Sequence, residues 1–426
     1  MIAVVSFLVM IGLMLFNVPI AICTGLAAIT GIVMSDGISF MTFVQRMYVG
    51  MDSFTLIAVP LFMLCGRFMA IGGITKDLIN MANALVGRFS GGLAYINIVS
   101  SMFFAGITGS AAADTASIGG ILIPTMVDKG YDTDFSVAVT ATSSTIGVMI
   151  PPSIPMVVFG VASGASIGKL FMGGVIPGIM VGGALMIVSW YYAKKRGYPA
   201  EPPLAFKETI VEILRGIPAL LTVIIILGGI TSGLFTPTEA AGVACVYTFL
   251  LGMLMYHELH LKDIPNIMLE VSVSTGTVVL MIATASALGW VFAQQNVPAI
   301  ISSAVLGLTT NKFLLLLLIN LLLLFVGTWM DLSPAVMVFC PILMPIITAL
   351  GMDPVHFGVI MIINLAIGLF TPPVGVCLFL ACGIAKISIT DTIKAFIPFF
   401  LSMLVVLMLI TYIEPLVMFL PNLMVG

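Results

Sequence analysis

The chain has 426 residues, of which 61% are hydrophobic and 8% are charged, and its formal net charge is −3. About 25% of the residues of a soluble globular protein are charged, so this composition excludes a protein whose exterior faces mainly water. Lipid must surround most of the surface, and no nucleic-acid partner is expected. The composition predicts an all-α, polytopic membrane protein.

Apolar stretches that could cross a bilayer occur almost throughout the chain, since a spanning helix needs roughly 20 apolar residues. The N-terminal sequence MIAVVSFLVM lacks a basic segment and a small-residue cleavage site, so it predicts a first span rather than a signal peptide. The longest polar stretch, 194–216, is too short for a soluble domain. The predicted spans are 2–16 with 19–34, 51–72, 91–127, 134–163, 168–193, 217–234, 237–256, 270–293, 313–350, 354–384 and 392–413.

An internal repeat relates the two halves of the chain. The segment from Phe104 aligns without a gap with the segment from Phe325, 221 residues later. Glycine and proline dominate the identities, and these residues fix backbone shape. The sequence therefore predicts two repeats, 1–196 and 217–426, joined by a cytoplasmic linker at 197–216. The matched pairs are Gly106 and Gly327, Pro124 and Pro345, Gly130 and Gly351, Asp132 and Asp353, Gly147 and Gly368, Pro151-Pro152 and Pro372-Pro373, and Pro177 and Pro398.

Each repeat is predicted to contain five spans and one re-entrant hairpin. The hairpins are 91–127 and 313–350, and the spans broken at Pro-Pro are 134–163 and 354–384. Five crossings per half make the second half inverted, which is a known transporter architecture. With the N-terminus in the periplasm, twelve Lys and Arg residues lie on the cytoplasmic side and three on the other, as the positive-inside rule expects.

Four interruptions of helix are predicted at membrane depth. Two are the hairpin tips GITGSAAAD (106–114) and GTWMDLSPA (327–335), and two are the breaks TIGVMIPPS (145–153) and AIGLFTPPVG (366–375). Bare backbone groups are not tolerated in hydrocarbon, so something must satisfy the free helix ends. Carbonyl and hydroxyl oxygens suit Na⁺, and helix N-termini suit a carboxylate. The alternative is that these Gly and Pro residues only aid packing and kinking.

Several polar residues near the interruptions are candidates for binding substrate. Asp114 and Asp331 are carboxylates within the membrane and are functional candidates for that reason, although Asp331 also has the context of a helix cap. Ser153 and Asn364 complete the predicted substrate set, and a buried Asn can equally serve as interhelical glue. Glu239 is assigned instead to helix initiation, because TPTE predicts a capping box.

Three stretches carry a resemblance to a known family. GITGSAAADTASIGGILIPTM (106–126), FTPTEAAGVA (235–244) and GLFTPPVGVCLFLACGIAKIS (368–388) resemble the large membrane subunit of tripartite ATP-independent periplasmic (TRAP) transporters. The resemblance covers essentially the whole chain. It implies Na⁺-driven uptake of an organic acid across the bacterial inner membrane by an elevator movement. It also implies two partners, a separate small four-helix membrane subunit and a periplasmic substrate-binding protein.

The resemblance also assigns two Na⁺ sites, each made of one tip and one break. Substrate would lie between the tips, with sialic acid favoured over a C4-dicarboxylate. The first site comprises Gly106, Ser110, Ser144, Gly147 and Pro151, and the second comprises Gly327, Gly368, Thr371 and Pro372.

Two other functions remain as alternatives. One is a stand-alone divalent-anion/Na⁺ symporter, which would need no binding protein. The other is an intramembrane aspartyl protease, in which Asp114 and Asp331 would have to lie close enough to share a proton. The sequence contains no P-loop motif, so nucleotide hydrolysis by such a loop is not expected. It contains no Arg after Arg215, so no Arg of the second half can clamp a carboxylate.

Overall fold

The computed structural model describes residues 1–424 apart from 17, 36, 72, 298–299 and 301–310. The described part is helical, without a β-strand. In the first half, the helices are α1 (Ile2–Leu15), α2 (Ile20–Val33), α3 (Met41–Met51), α4 (Ala58–Ile71), α5 (Ile74–Val86), α6 (Gly92–Thr108), α7 (Ala111–Asp128), α8 (Thr133–Ser143), α9 (Ile154–Ser163) and α10 (Ile167–Arg196).

The second half repeats much of this order. Its helices are α11 (Phe206–Thr231), α12 (Pro237–Leu250), α13 (Ile264–Gln294), α14 (Lys312–Gly327), α15 (Leu332–Ala349), α16 (Pro354–Gly368), α17 (Val376–Ala385), α18 (Ile389–Tyr412) and α19 (Pro415–Leu423). The predicted capping box is confirmed: the Glu239 carboxylate accepts a bond from Thr236 N at 2.8 Å, and Thr236 Oγ1 accepts one from Glu239 N at 3.3 Å. This exchange satisfies two free N–H groups at the start of α12.

Corresponding helices make corresponding contacts in the two halves. Helix α7 packs against α17, and α15 packs against α9, so the second helix of each tip packs on the helix that follows the break of the other half. Aromatic pairs connect the halves further inside: the Phe159 and Phe357 rings lie 6.3 Å apart, and those of Phe135 and Phe399 lie 5.9 Å apart. The tips and breaks therefore form one interlocked block around the centre of the molecule.

Within the described residues, six helices are long and apolar enough to cross a membrane: α10, α11, α12 with its π-turn extension, α13, α15 and α18. A bent pair, Met41–Met51 with Phe54–Ala70, would make a seventh. Helices α1 and α2 have only 14 residues each, and the spans at the Pro-Pro motifs are broken. The polytopic fold is confirmed, whereas the count of five crossings per half and the orientation stay predictions.

Two helices were not anticipated from the sequence. Helix α3 has no buried residue and meets the following helix at 62°, whereas α13, 221 residues later, is continuous over 31 residues. Helix α5 is amphipathic and packs against α6 and α11. Both helices lack the 18 or more residues of the longer apolar spans, so a search for long apolar runs passes over them.

Candidate functional site between the two hairpin tips

The first tip is a two-residue turn between α6 and α7. Gly109 has φ of +60°, a left-handed conformation that glycine adopts without a steric cost. Ser110 then caps α7, accepting a bond from Ala113 N at 3.4 Å. A β-carbon on Gly109 would lie 2.7 Å from the Pro152 carbonyl oxygen, and one on Gly147 would lie 3.3 Å from the Ser110 carbonyl oxygen. The first tip and the first break are thus in direct backbone contact.

The first break begins where α8 tightens into a 3₁₀ turn over Ser144–Val148. Helix α9 starts again at Ile154, and Ser153 caps it by accepting a bond from Met156 N at 3.4 Å. The Ser153 hydroxyl also donates to the Val148 carbonyl at 2.6 Å, across the break. Ser153 is fully buried, so in this conformation it holds the break together rather than facing a ligand.

Asp114 lies in the first turn of α7 and is fully buried. Its Oδ1 atom accepts hydrogen bonds from Ser101 at 3.0 Å and from Ser144 at 3.1 Å. Its Oδ2 atom is also buried and has no hydrogen-bond partner among the described residues. The carboxylate therefore belongs to the contact between the first tip and the first break, not to the surface of a cavity.

The second tip meets the second break in the same way. A β-carbon on Gly327 would lie 3.3 Å from Gly368 Cα, and one on Gly368 would overlap the Gly327 backbone. The Val374 N–H donates to the Thr328 carbonyl at 3.2 Å, which ties the break to the tip. Thr371 donates its hydroxyl hydrogen to the Ile367 carbonyl at 2.6 Å, so the lone pairs of Oγ1 remain open to a ligand.

A cavity of about 260 Å³ lies between the two tips. The starts of four helices line it, namely α7, α9, α15 and α17. Asp331 caps α15, with Oδ1 accepting from Leu332 N at 2.9 Å, and its side chain also lines the cavity. The lining residues are Met63, Gly109, Ser110, Ala111, Ala112, Val148, Ile154, Pro155, Thr277, Val278, Met281, Asp331, Leu332, Ser333, Pro334, Leu369, Val376 and Cys377.

Of the four predicted substrate residues, only Asp331 lines this cavity, while Ser110, predicted for the first Na⁺ site, also does. Asn364 donates its amide to Asn320 Oδ1 at 2.8 Å and to the Asn320 carbonyl at 3.0 Å, so it joins α16 to α14 as interhelical glue. Thr277 of α13 lines the cavity but is not among the predicted residues, because its only sequence signal is a hydroxyl in an apolar span.

The chain matches the DctM component of tripartite ATP-independent periplasmic transporters over residues 7–416. It belongs to this family. The family is one of transport proteins, so the protease alternative is wrong. Membership implies a multi-pass protein of the bacterial inner membrane that works with a small membrane subunit and a periplasmic binding protein.

Two relatives show how similar this large TRAP permease is to proteins with assigned substrates. The sialic acid TRAP transporter large permease protein SiaM of Vibrio cholerae is 39% identical over 98% of this chain and 97% of its own length. The isethionate TRAP transporter permease protein DctMQ of Oleidesulfovibrio alaskensis is 43% identical over 95% of this chain, which spans 64% of that longer protein.

The fold is also similar to a solved transporter. The YdaH transporter of Alcanivorax borkumensis superposes with a TM-score of 0.68 over 91% of this chain and 89% of its own. The two sequences are only 14% identical, so the similarity concerns the fold alone. It confirms the all-α polytopic fold class predicted from the sequence.

Proposed function

We propose that this chain is the large permease of a Na⁺-driven TRAP transporter that imports an organic acid across the bacterial inner membrane. A periplasmic binding protein delivers the acid, and a separate small four-helix subunit completes the membrane complex. The observation that carries the proposal is the cavity between the tips, which the starts of four helices line and which has a tip–break contact on either side.

Each tip–break contact would hold one Na⁺. Unwound carbonyls at broken helices coordinate Na⁺ in transporters of this architecture. The first site would use the backbone at Gly106, Gly147 and Pro151 with the hydroxyls of Ser110 and Ser144. Asp114 joins this site in our proposal instead of the substrate site, because its carboxylate accepts a bond from Ser144. The second site would comprise Gly327, Gly368, Thr371 and Pro372.

The chemistry of the cavity favours a hydroxylated acid. Helix N-termini carry partial positive charge, so four of them would attract the substrate carboxylate. Asp331 would repel a second carboxylate but accepts hydrogen bonds from hydroxyl groups. Sialic acid carries one carboxylate and several hydroxyls, whereas a C4-dicarboxylate carries two carboxylates. We therefore favour sialic acid over a C4-dicarboxylate as the substrate.

The packing supports an elevator movement. The hairpin and broken helices pack on one another across the halves, while α1–α5 and α11–α13 pack largely among themselves. The first group would move as the transport domain and the second would stay as the scaffold. Substrate and both Na⁺ ions would travel together, since the cavity and both tip–break contacts belong mainly to the moving group.

Uptake by reconstituted vesicles tests the proposal. Liposomes containing this chain and the small subunit receive radiolabelled N-acetylneuraminate or succinate, with or without the binding protein, under an imposed Na⁺ gradient or with ATP. We expect uptake only with the Na⁺ gradient and the binding protein together. Full uptake without the binding protein would favour the stand-alone symporter, and uptake driven by ATP without Na⁺ would reject ion coupling.

A further inference from the structure

A second cavity, of about 340 Å³, adjoins the one between the tips. The two share lining residues at the first tip, among them Ser110 and Ala112, so both lie directly against this tip. The second cavity lies between the first tip and helices α4 and α13. Small side chains keep it open, with Gly66 and Ala70 on α4 facing Ala113 and Ala116 on α7.

Arg67 is the only Lys or Arg among the described residues that line either cavity. About half of its side chain is accessible (49%), and Nη2 lies 3.0 Å from Glu270 Oε2 on α13. A guanidinium presents five N–H donors in a planar fork, and the described residues offer Arg67 no other acceptor. Most of its hydrogen-bonding capacity therefore remains open to the cavity.

A contribution to folding stability does not explain the ion pair between Arg67 and Glu270. Both side chains are about half accessible, and an exposed pair of this kind contributes little to folding because water screens it. An Arg, however, matches a carboxylate with two parallel hydrogen bonds, which a Lys cannot do. The Glu270 carboxylate beside Nη2 restricts the rotamers of Arg67, and the other N–H groups of the guanidinium are left for an incoming anion.

We propose that Arg67 forms a second carboxylate-binding site on the release path of the substrate, with Glu270 as its positioning residue. This inference rests on the proposed function. Arg67 belongs to the scaffold helix α4, whereas Ser110 belongs to the first tip, so the site is complete only when the tip lies beside α4. The contact is close, since a β-carbon on Gly66 would lie 3.0 Å from Thr108 Cα. The predicted topology puts Arg67 on the cytoplasmic side, where substrate leaves.

Uptake by matched Arg variants tests the inference. Arg67→Gln, Arg67→Lys and Glu270→Gln are compared with Arg215→Gln, which removes a similar ion pair (Nη1 to Glu212 Oε1, 3.2 Å) outside both cavities. We expect the maximal rate of N-acetylneuraminate uptake to fall about tenfold in Arg67→Gln, the loss expected for one charge-assisted contact. The lysine and Glu270 variants should fall between Arg67→Gln and wild type. The KM for external substrate should stay unchanged, because loading occurs on the other face.

Chemical rescue keeps the test independent of folding. Because Cys377 lines the cavity between the tips, Arg67→Cys is placed in a background without the native cysteines and is modified with an aminoethyl or a methyl methanethiosulfonate reagent. Recovery with the cationic reagent alone supports the site. Equal rates in Arg67→Gln and Arg215→Gln, or equal effects of the two reagents, overturn it. Absence of Na⁺-driven uptake by the wild type would instead reject the proposed function, so the two failures are distinguishable.

Discussion

The two tip–break contacts share a backbone plan but place their carboxylates differently. Ser110 and Asp331 stand 221 residues apart, at aligned positions, and each caps the second helix of its hairpin. One turn further on, the first half has Asp114 and the second half has Ala335. The first contact therefore buries a carboxylate behind the tip, whereas the second presents its carboxylate to the cavity.

The different positions of the two carboxylates give the two halves different roles. A buried carboxylate with an unpartnered oxygen favours a cation close by, because an isolated charge in an apolar interior is costly. A carboxylate at the cavity can instead select hydroxyl groups of the substrate. Repeated backbone geometry thus supplies one ion site in each half in our account, while the side-chain difference gives the first-half carboxylate to Na⁺ binding and the second-half carboxylate to substrate selection.

The largest loss of uptake is expected when a side chain fills the contact between the second tip and the second break. Gly368→Ala should abolish uptake, because its β-carbon would overlap the Gly327 backbone, which cannot move aside as a side chain can. Gly383→Ala is the matched control, since nothing lies within 4 Å of its β-carbon. Uptake and membrane insertion are measured for both. Wild-type uptake by Gly368→Ala would show that the close contact is dispensable.

Alanine at Gly106, the first-half counterpart of Gly327, should be milder than alanine at Gly368. A β-carbon on Gly106 would meet mainly the Val223 side chain, at 2.7 Å, which is partly exposed and is not backbone. We expect Gly106→Ala to retain part of the uptake activity, whereas Gly106→Leu and Gly327→Leu should abolish it. If Gly106→Ala were more damaging than Gly368→Ala, the backbone contacts of the two halves would rank in the opposite order.

Exchanging each carboxylate for an amide tests the division of roles. Asp114→Asn should raise the Na⁺ concentration for half-maximal uptake by about tenfold or more, the cost of one lost charge-assisted contact. Asp331→Asn should weaken the affinity for N-acetylneuraminate and change the Na⁺ dependence by less than about twofold. Titrations of Na⁺ and of substrate on both variants measure this. Equal Na⁺ shifts in the two variants would remove the distinction between the halves.

A smaller difference concerns the hydroxyl at the second break. Thr371 has no hydroxyl counterpart in the first half, where Ile150 is aligned with it. Thr371→Val keeps the shape and should lower the apparent Na⁺ affinity by roughly tenfold, whereas Ile150→Thr should cause no matching loss. An unchanged Na⁺ titration of Thr371→Val would mean that the hydroxyl only satisfies the Ile367 carbonyl and does not bind the ion.

The smallest effect on activity is expected from a test of orientation. Lys129 directly follows the first hairpin, and Lys312 is the first helical residue of the second hairpin. Replacing Lys129 with Cys removes only a partly exposed ion pair with Glu201. In a background without the native cysteines, impermeant thiol reagents should label Lys129→Cys from the cytoplasmic face and Lys312→Cys from the periplasmic face. Labelling of both from one face would contradict the inverted repeat.

Repeated glycine and proline residues indicated where the helices stop, because backbone shape depends on these residue types. The described helices accordingly stop at Thr108 and Gly327 in the two tips, and at the breaks they stop at Val148 and Gly368 and restart at Ile154 and Val376. The direction in which a side chain points was harder to predict. Asp114 and Asp331 are both carboxylates near hairpin tips, yet Asp114 lies in the first turn of α7 and is buried, whereas Asp331 caps α15 and lines the cavity. Arg67 was missed because it reaches the site only through the contact of α4 with the first tip.

Coupling stoichiometry tests the central claim most directly. Wild-type complex in vesicles receives ²²Na⁺ and ¹⁴C-labelled N-acetylneuraminate together with the binding protein, and both initial rates are measured in the same sample. Two tip–break sites that travel with one substrate predict that at least two Na⁺ ions enter per molecule. A ratio of one or less, or substrate entry without any Na⁺ entry, would contradict the account of two ion sites around one cavity.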